Sequence, residues 1–481
     1  MTLAVERLLR RPSQRRAEKH RVLEFSGGRI SSLREAQPGL GKGLLAMPAL
    51  ANAHDHARAL KPIASGALEL PLELWLAAIT GAPRVDPYLV GAVAFGRAAL
   101  GGAGAVMCHY VRAQGGMSLV EEARQVARAA SDVGVRIAFA VAMRDRNYIA
   151  YGDDRRTLQL MPAADRQAIE EKLIGRADSP GAQVALVEEI AAALDSPTVT
   201  VQYGPTAVQW CSHALLEAIA EGSAQSGRRI HMHLLESRYQ RQWADKAYPG
   251  GMLKFLDKIG LLSPRLSVAH AVWANPDELD LLSERGVIIS VNNSSNLSLR
   301  SGVAPVAQML RAGVPIAIGL DGVGLDDDDD ALREVRLGYF LHQGIGFEAH
   351  LDAGTLLHAA CDTGRRAVTG ILEPAALEPG RLADALILDY AALARDVIAE
   401  SLDDLPLVLA RATSRHIRAL YVGGREVVSE GRLTGVDLAG LEYELTDQLR
   451  RGVVAFNEWQ RTVLRMRASL TRFYATGMHC T

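Results

Sequence analysis

Aromatic residues make up only 5% of this 481-residue chain. So thin a supply argues against platforms that stack nucleic-acid bases. There is also no excess charge of one sign. Lys+Arg 53 against Asp+Glu 55 leaves a net charge of −2, which gives no footprint for nucleic acid or an anionic membrane. The four cysteines, Cys108, Cys211, Cys361 and Cys480, are far apart and form no C-x-x-C pair. That spacing disfavours a disulfide framework or a zinc knot and fits a reducing, cytoplasmic setting. No apolar run reaches the roughly 18 residues that a membrane helix needs. Arginine recurs at Arg7, Arg10, Arg11, Arg15, Arg16 and Arg21 with no long apolar stretch, which reads as a solvated basic terminus rather than a secretory leader. No G-x-G-x-x-G or G-x-x-x-x-G-K-[ST] follows a predicted strand, so nucleotide-binding sheets lose support.

What is present is a 48% hydrophobic fraction, ample for a packed core of one large domain plus an accessory one. Short apolar runs alternate with helical periods. The runs Gly43–Ala51, Ala103–Tyr110, Val135–Val141, Thr198–Tyr203, Arg229–Leu234, Leu266–His270, Gly286–Val291 and Val314–Leu320 read as eight buried strands. Helical periods lie between them at Leu119–Val133, Cys211–Ser226, Pro276–Arg285, Val303–Ala312 and Ala331–His342. Eight such units predict an α/β chain folded as a (β/α)8 TIM barrel, with an open parallel sheet as the competing topology. The ends read as β: Val22–Ile30 with a Gly27-Gly28 turn, Leu382–Asp389, and Ala419–Val428 turning at Gly423-Gly424. The expected division is a small β-sandwich domain from 1–45 and 375–436, a barrel from 46–374, and a helical extension from 437–481. Within that extension Leu438–Arg467 is helix-compatible. Asp145–Pro180 reads as a loop with one helix.

Chemistry-bearing residues stand at the predicted C-terminal strand ends, where a barrel places its active site. His54 and His56 flank Asp55, and alternate residues of a strand point the same way, so both imidazoles can meet one metal ion. The segment His231-Met232-His233-Leu234-Leu235-Glu236 offers a histidine ligand and a carboxylate three residues on, suited to moving a proton. His270 closes an apolar strand. Asp321 follows another, between Gly319 and Gly322. Taken singly, each has an ordinary structural reading. In this order they ring one barrel mouth, and three imidazoles plus a carboxylate suit Zn2+ or Fe2+.

With these residues in view, the chain resembles the amidohydrolase superfamily. Within it, the chain is similar to the branch of cytosine deaminase, guanine deaminase and triazine chlorohydrolase. The segments Met47 to His56, Gly204-Pro205, His231 to Glu236, His270, Ser294 to Pro305, Gly319 to Gly322 and Gly380 to Ala385 carry the match. The resemblance implies a single divalent metal held by His54, His56, His233 and Asp321. Other branches use a carboxylated lysine on the fourth strand, and Thr198–Tyr203 has none. It further implies catalytic roles for Glu236 as proton shuttle, for His270 as the residue holding the attacked group or the metal water, and for Asp321. The implied reaction is hydrolytic deamination of a small N-heterocyclic or aromatic amine. The alternative is hydrolysis of an amide, urea, chloride or N-alkyl group at the same site, and a non-enzymatic binding relative is the third reading. Implied partners are a small-molecule substrate and further copies of the chain in a homodimer or larger assembly, with no nucleic acid and no membrane.

For substrate binding the candidates are Trp75, His109, Gln209 and Trp210, which could hydrogen-bond and stack on a planar heterocycle. The sequence departs from the usual Asn-Pro before Ser-Asn, reading Asn293-Ser294-Ser295-Asn296. The run Asp326–Asp330 reads as a solvated acidic loop capping the next helix, or as an attractor of cationic substrate.

Overall fold

A computed structural model describes residues 1–325 and 327–480. Asp326 of the acidic run and Thr481 of the expected extension lie outside the described residues. The chain opens with four strands, β1 (Thr2–Leu8), β2 (Glu18–Ser26), β3 (Arg29–Glu35) and β4 (Leu44–Pro48). Eight more follow: β5 (Leu50–Asn52), β6 (Ala103–Tyr110), β7 (Arg136–Met143), β8 (Val199–Pro205), β9 (Ile230–Leu234), β10 (Leu266–His270), β11 (Ile288–Val291) and β12 (Ile316–Ile318). A short hairpin, β13 (Gly344–Ile345) and β14 (Glu348–Ala349), precedes β15 (Ala385–Asp389), β16 (Ile417–Val422), β17 (Arg425–Ser429) and β18 (Arg432–Leu433).

Strands β5 to β12 pair in sequence order and in parallel, as the alternating pattern predicts. The ring closes where the Ala53 amide donates to the Ile318 carbonyl at 2.9 Å. Seven of the eight residues of β7 are buried, because helices cover its outer face and the barrel interior its inner one. Between strands the helices carry their own stop signals. In Leu119–Val133 the Ser118 side chain accepts from the Glu121 amide, and Gly134 ends the helix in the left-handed region. The barrel floor is closed by helix Gly364–Thr369. Its Ala367 and Val368 pack on the small strand residues Ala51, Ala53, Ala105 and Ala317. The Gln202 amide, inside the barrel, donates to the carbonyls of both.

The chain ends build one mixed sheet in the order β18-β17-β16-β15-β4-β1-β2-β3. It folds over on itself until Arg29 pairs with Leu382. A second core of Val5, Leu8, Leu23, Phe25, Ile387 and Tyr421 fills the fold. The arginine-rich start enters this sheet at Arg7 and Arg21, while Arg11, Arg15 and Arg16, in the connection between β1 and β2, stay solvent-exposed. Arg15 and Arg16 both pair with Asp403, and Arg11 with Glu378.

Four local expectations change. The run Gly43–Ala51 is two strands, because Pro48 cannot donate to a ladder and the chain changes sheets at Ala49. Asp145–Pro180 holds two α-helices, Asp154–Leu160 and Arg166–Leu173, where one was expected. Asp153 caps the first, and Pro162 follows it. The helical tail breaks at Gly452 into Leu438–Arg451 and Val453–Ala475. A side chain at Gly452 would come within 2.6 Å of Pro83. Helices Pro87–Leu100 and Pro180–Leu194 were not expected; the first is buried on almost every face and so has no amphipathic period. No helix among the described residues is long and apolar enough to cross a membrane.

Candidate active site

The C-terminal ends of β5, β9, β10 and β12 bring His54, His56, His233, His270, Glu236 and Asp321 together, all buried. The backbone there is unusual. His270, Ala271, Leu235 and Asp321 all have positive φ, between 46° and 74°, although none is glycine. Such conformations cost energy and collect where a site needs a side chain aimed against local preference. Gly319 is required for a simpler reason. A Cβ there would lie 2.8 Å from His54 Cβ and 2.7 Å from Ser290 Oγ.

Hydrogen bonds fix which ring nitrogen of each histidine is free. His56 Nδ1 donates to the His109 carbonyl at 2.9 Å, and His233 Nδ1 to the Thr206 carbonyl at 2.6 Å. A carbonyl only accepts, so both protons sit on Nδ1 and both Nε2 atoms carry bare lone pairs. Those two Nε2 atoms face each other at 3.3 Å. A relay frees a third. Ser267 donates to the Ile230 carbonyl, His231 Nδ1 donates to Ser267 Oγ at 2.7 Å, and His54 Nδ1 donates to His231 Nε2 at 2.8 Å. His231 therefore orients His54, whereas His233 faces the mouth. His270 Nδ1 donates to Asn296 Oδ1 at 2.8 Å.

Asp321 Oδ1 lies 3.0 Å from His56 Nε2 and 3.3 Å from His54 Nε2, and its Oδ2 accepts from Ser295 Oγ at 2.6 Å. His54 Nε2, His270 Nε2 and Asp321 Oδ1 are buried with no hydrogen-bond partner. Lone pairs converging without a proton between them are unfavourable unless a cation is shared. The groups His54–His56–Asp321, His54–His233–His270 and His56–His109–His233 each have the compactness to hold a metal ion. Burial drives His56, His233 and His270 toward neutrality, the state a ligand requires. His56 falls to about 4, His270 to about 3, and His233 well below its ordinary value.

Glu236 is the opposite case. Burial first, then the nearby Asp321 and Glu73 charges, push its carboxyl well above the ordinary range. Its Oε2 is 3.6 Å from His270 Nε2, and Ser301 Oγ donates to its Oε1 at 3.3 Å. Asp55, between the two histidines, ties loops together. It accepts from Asn52 Nδ2 and from the Gly322 amide, linking the first barrel strand to the last.

The mouth opens into a cavity of about 1070 Å³ bordered by His56, His233, Glu236, Asp321, Trp75 and Trp210. Trp75 and Trp210 thus stand where a substrate would lie. His109 and Gln209 are buried and do not border it. His109 stacks behind His233 at 4.9 Å between ring centres and hydrogen-bonds the Gly204 carbonyl. Arg58, Arg84, Arg112 and Arg144 also border the cavity, and no local sequence signal marks them. The acidic run serves elsewhere. Asp329 pairs with Lys61 at 2.5 Å, Asp328 with Arg333, and Asp330 caps helix Ala331–His342. None of the described aspartates of the run borders the cavity.

A barrel with a ring of imidazoles and one carboxylate at its mouth is a hydrolase architecture, and comparison gives it a family. The amidohydrolase family model matches residues 45–427, and the chain belongs to that family. It is 33% identical over 176 residues to a 5-methylthioadenosine/S-adenosylhomocysteine deaminase of Thermococcus sibiricus, covering 36% of this chain and 42% of that one. It is 29% identical over 307 residues to a 5'-deoxyadenosine deaminase of Methanothermobacter thermautotrophicus, covering 63% and 64%. The match thus spans less than two thirds of these relatives. Among solved structures, a zinc-bound adenosine deaminase from Xanthomonas campestris superposes with a TM-score of 0.73 at 22% identity, over 96% of this chain and 98% of that one. A mutant atrazine chlorohydrolase TrzN from Arthrobacter aurescens, complexed with zinc and atraton, gives 0.75 at 21%, over 93% and 99%. These two likenesses show the fold.

Proposed function

We propose that the protein is a metal-dependent aminohydrolase that deaminates an N-heterocyclic amine, adenine nucleosides being the first substrates to test. The observation that carries this is the convergence of the bare Nε2 atoms of His54 and His56 on Asp321, with that of His233 3.3 Å from His56 Nε2, beside Glu236, whose carboxyl burial pushes well above its ordinary range. The deaminase names of the relatives support the choice of leaving group.

His54, His56, His233 and Asp321 would hold one divalent ion, zinc before iron. When bound, the ion supplies a water of lowered pKa, usable as nucleophile at neutral pH. Glu236 hands its proton to a ring nitrogen as the water oxygen adds to the amine-bearing carbon. A C–O bond forms there. Asp321 takes the proton that the water loses and returns it to the amine, the C–N bond breaks as ammonia leaves, and the added hydroxyl gives up its remaining proton to Glu236, which is thereby restored. His270, its Nδ1 held by Asn296, turns its Nε2 lone pair to the site and would accept a hydrogen bond from the attacking water, fixing its direction. Trp75 and Trp210 bracket the heterocycle, with His109 and Gln209 behind the wall.

We further propose that the barrel unit runs over 46–374 with the small β domain from 1–45 and 375–436. A homodimer or larger assembly is supported by the apolar tip of the β13–β14 hairpin, where Ile345 and Phe347 stand exposed. The three buried free thiols, Cys108, Cys211 and Cys361, support a cytoplasmic location.

The test is ammonia release by zinc-loaded protein with 5'-deoxyadenosine, 5-methylthioadenosine, S-adenosylhomocysteine, guanine, cytosine, pterins and amino-triazines. Ammonia from any one is the expected result. Turnover of a panel member without ammonia would replace deamination by another hydrolysis.

A further inference from the structure

The family match ends at residue 427, yet one long wall of the active-site cavity comes from beyond it. Arg451, Gly452, Ala455, Phe456, Met466 and Tyr474 border the same cavity as His233 and Glu236. All lie at the break or on helix Val453–Ala475. Phe456 is half-buried; the neighbouring Leu464 faces outward at 55% exposure.

The helix also grips the two loops that supply the rest of the wall. Toward the loop after β5, Trp459 Nε1 donates to Thr80 Oγ1 at 2.8 Å, and Gln460 Nε2 donates to the carbonyls of Ala78 and Thr80. The indole lies so close to Gly81 that any side chain there would collide with it, and Gly81 has φ 74°. Toward the segment after β7, Arg465 meets both oxygens of Asp165 at 2.8 and 2.6 Å. Tyr474 OH accepts from the Tyr151 amide at 3.2 Å, and Phe473 packs on Gly152. Those two loops carry Trp75, Ile79, Tyr151 and Leu173 to the cavity.

We propose that helix Val453–Ala475 is the specificity wall of the active site: Phe456 contacts the part of the substrate remote from the reacting carbon, and Trp459, bonded to Thr80 on one side and with the Lys172 ammonium 5.3 Å over its ring on the other, is a positioning residue that holds the two loops. This rests on the aminohydrolase reading above and names which element selects among its substrates. An apolar wall of Phe456 and Met466 favours an apolar remote substituent, and removing the ring enlarges the space available there.

The experiment uses the full chain loaded with zinc. For two substrates with one heterocycle and different remote groups, 5'-deoxyadenosine and S-adenosylhomocysteine, kcat/KM is measured in the parent, in Phe456→Ala and in Leu464→Ala. Phe456→Ala is expected to change the ratio of the two values at least tenfold, mainly through KM, while Leu464→Ala leaves it unchanged. A merely structural defect lowers both values equally and leaves the ratio alone, and an unchanged ratio overturns the wall. Trp459→Ala is followed by hydrogen exchange. Faster exchange confined to residues 72–82 and 151–173 is expected. Unchanged exchange there, or an increase throughout the barrel, overturns the clamp. No ammonia from the parent with any heterocycle would count against the aminohydrolase reading, and the exchange result would still decide the clamp.

Discussion

The Nε2 atoms of His56 and His233 face each other across 3.3 Å, each with its only proton turned away toward a backbone carbonyl. Two lone pairs in that position repel unless a cation is shared between them. His233→Ala is therefore expected to drop bound zinc from about one per chain to near zero while the barrel stays folded. Elemental analysis with circular dichroism checks this. Full zinc content in the variant would contradict the assignment.

His231 acts one step behind. Because it holds His54 through a hydrogen bond relayed to Ser267, His231→Ala should weaken zinc binding by roughly 10–100-fold without abolishing it. Competition with a chelator measures the shift. Loss as complete as in His233→Ala would make His231 a ligand itself.

Glu236→Gln should retain zinc and fold but lose roughly 10²–10⁴-fold in kcat, the usual worth of a positioned proton donor. Stopped assays for ammonia give the rate. Undiminished turnover would remove Glu236 from the proton path.

Glu334 gives a stability test away from the proton path. It is fully buried and accepts from the Ser294 amide and hydroxyl; burial still raises its carboxyl from 4.5 to about 7. A raised carboxyl stabilises the fold fully below its unfolded value, and that contribution disappears as pH rises through the folded value. From pH 4.5 to pH 7 the parent should lose on the order of 3 kcal/mol that Glu334→Gln does not lose. Unfolding curves of both at pH 5 and pH 8 compare the two slopes. Parallel slopes would contradict it.

Gly319→Ala would push a methyl group against Ser290 Oγ and His54 Cβ. A shift of His54 follows, with a loss of about 1–3 kcal/mol and weaker zinc binding. An unchanged melting temperature together with unchanged zinc affinity would show that the strand end can yield.

Much of this is legible in the residues themselves. The barrel shows because eight apolar runs alternate with helical periods, and β6 and β10 fall where those runs begin and end. His270 ends β10, His233 is the penultimate residue of β9, and His54, His56 and Asp321 follow the ends of β5 and β12, so the order of the strands already collects them at one mouth. Other features carry no local signal. Thr206, Ser267, Ser295 and Asn296 act through single hydrogen bonds to residues 26 to 36 positions away in the chain. Pro48 hides a change of sheet inside one apolar run. The approach of Trp459 to Gly81 joins residues from opposite ends of the chain, which periodicity cannot register.

Hydrolytic deamination requires that a water oxygen replace the amine. Zinc-loaded protein is incubated with its best panel substrate in ¹⁸O-labelled water, and product and ammonia are counted together. One ¹⁸O at the carbon that bore the amine, with one ammonia per product, is predicted. Product without the label, or labelled product formed with another leaving group, would contradict hydrolytic deamination.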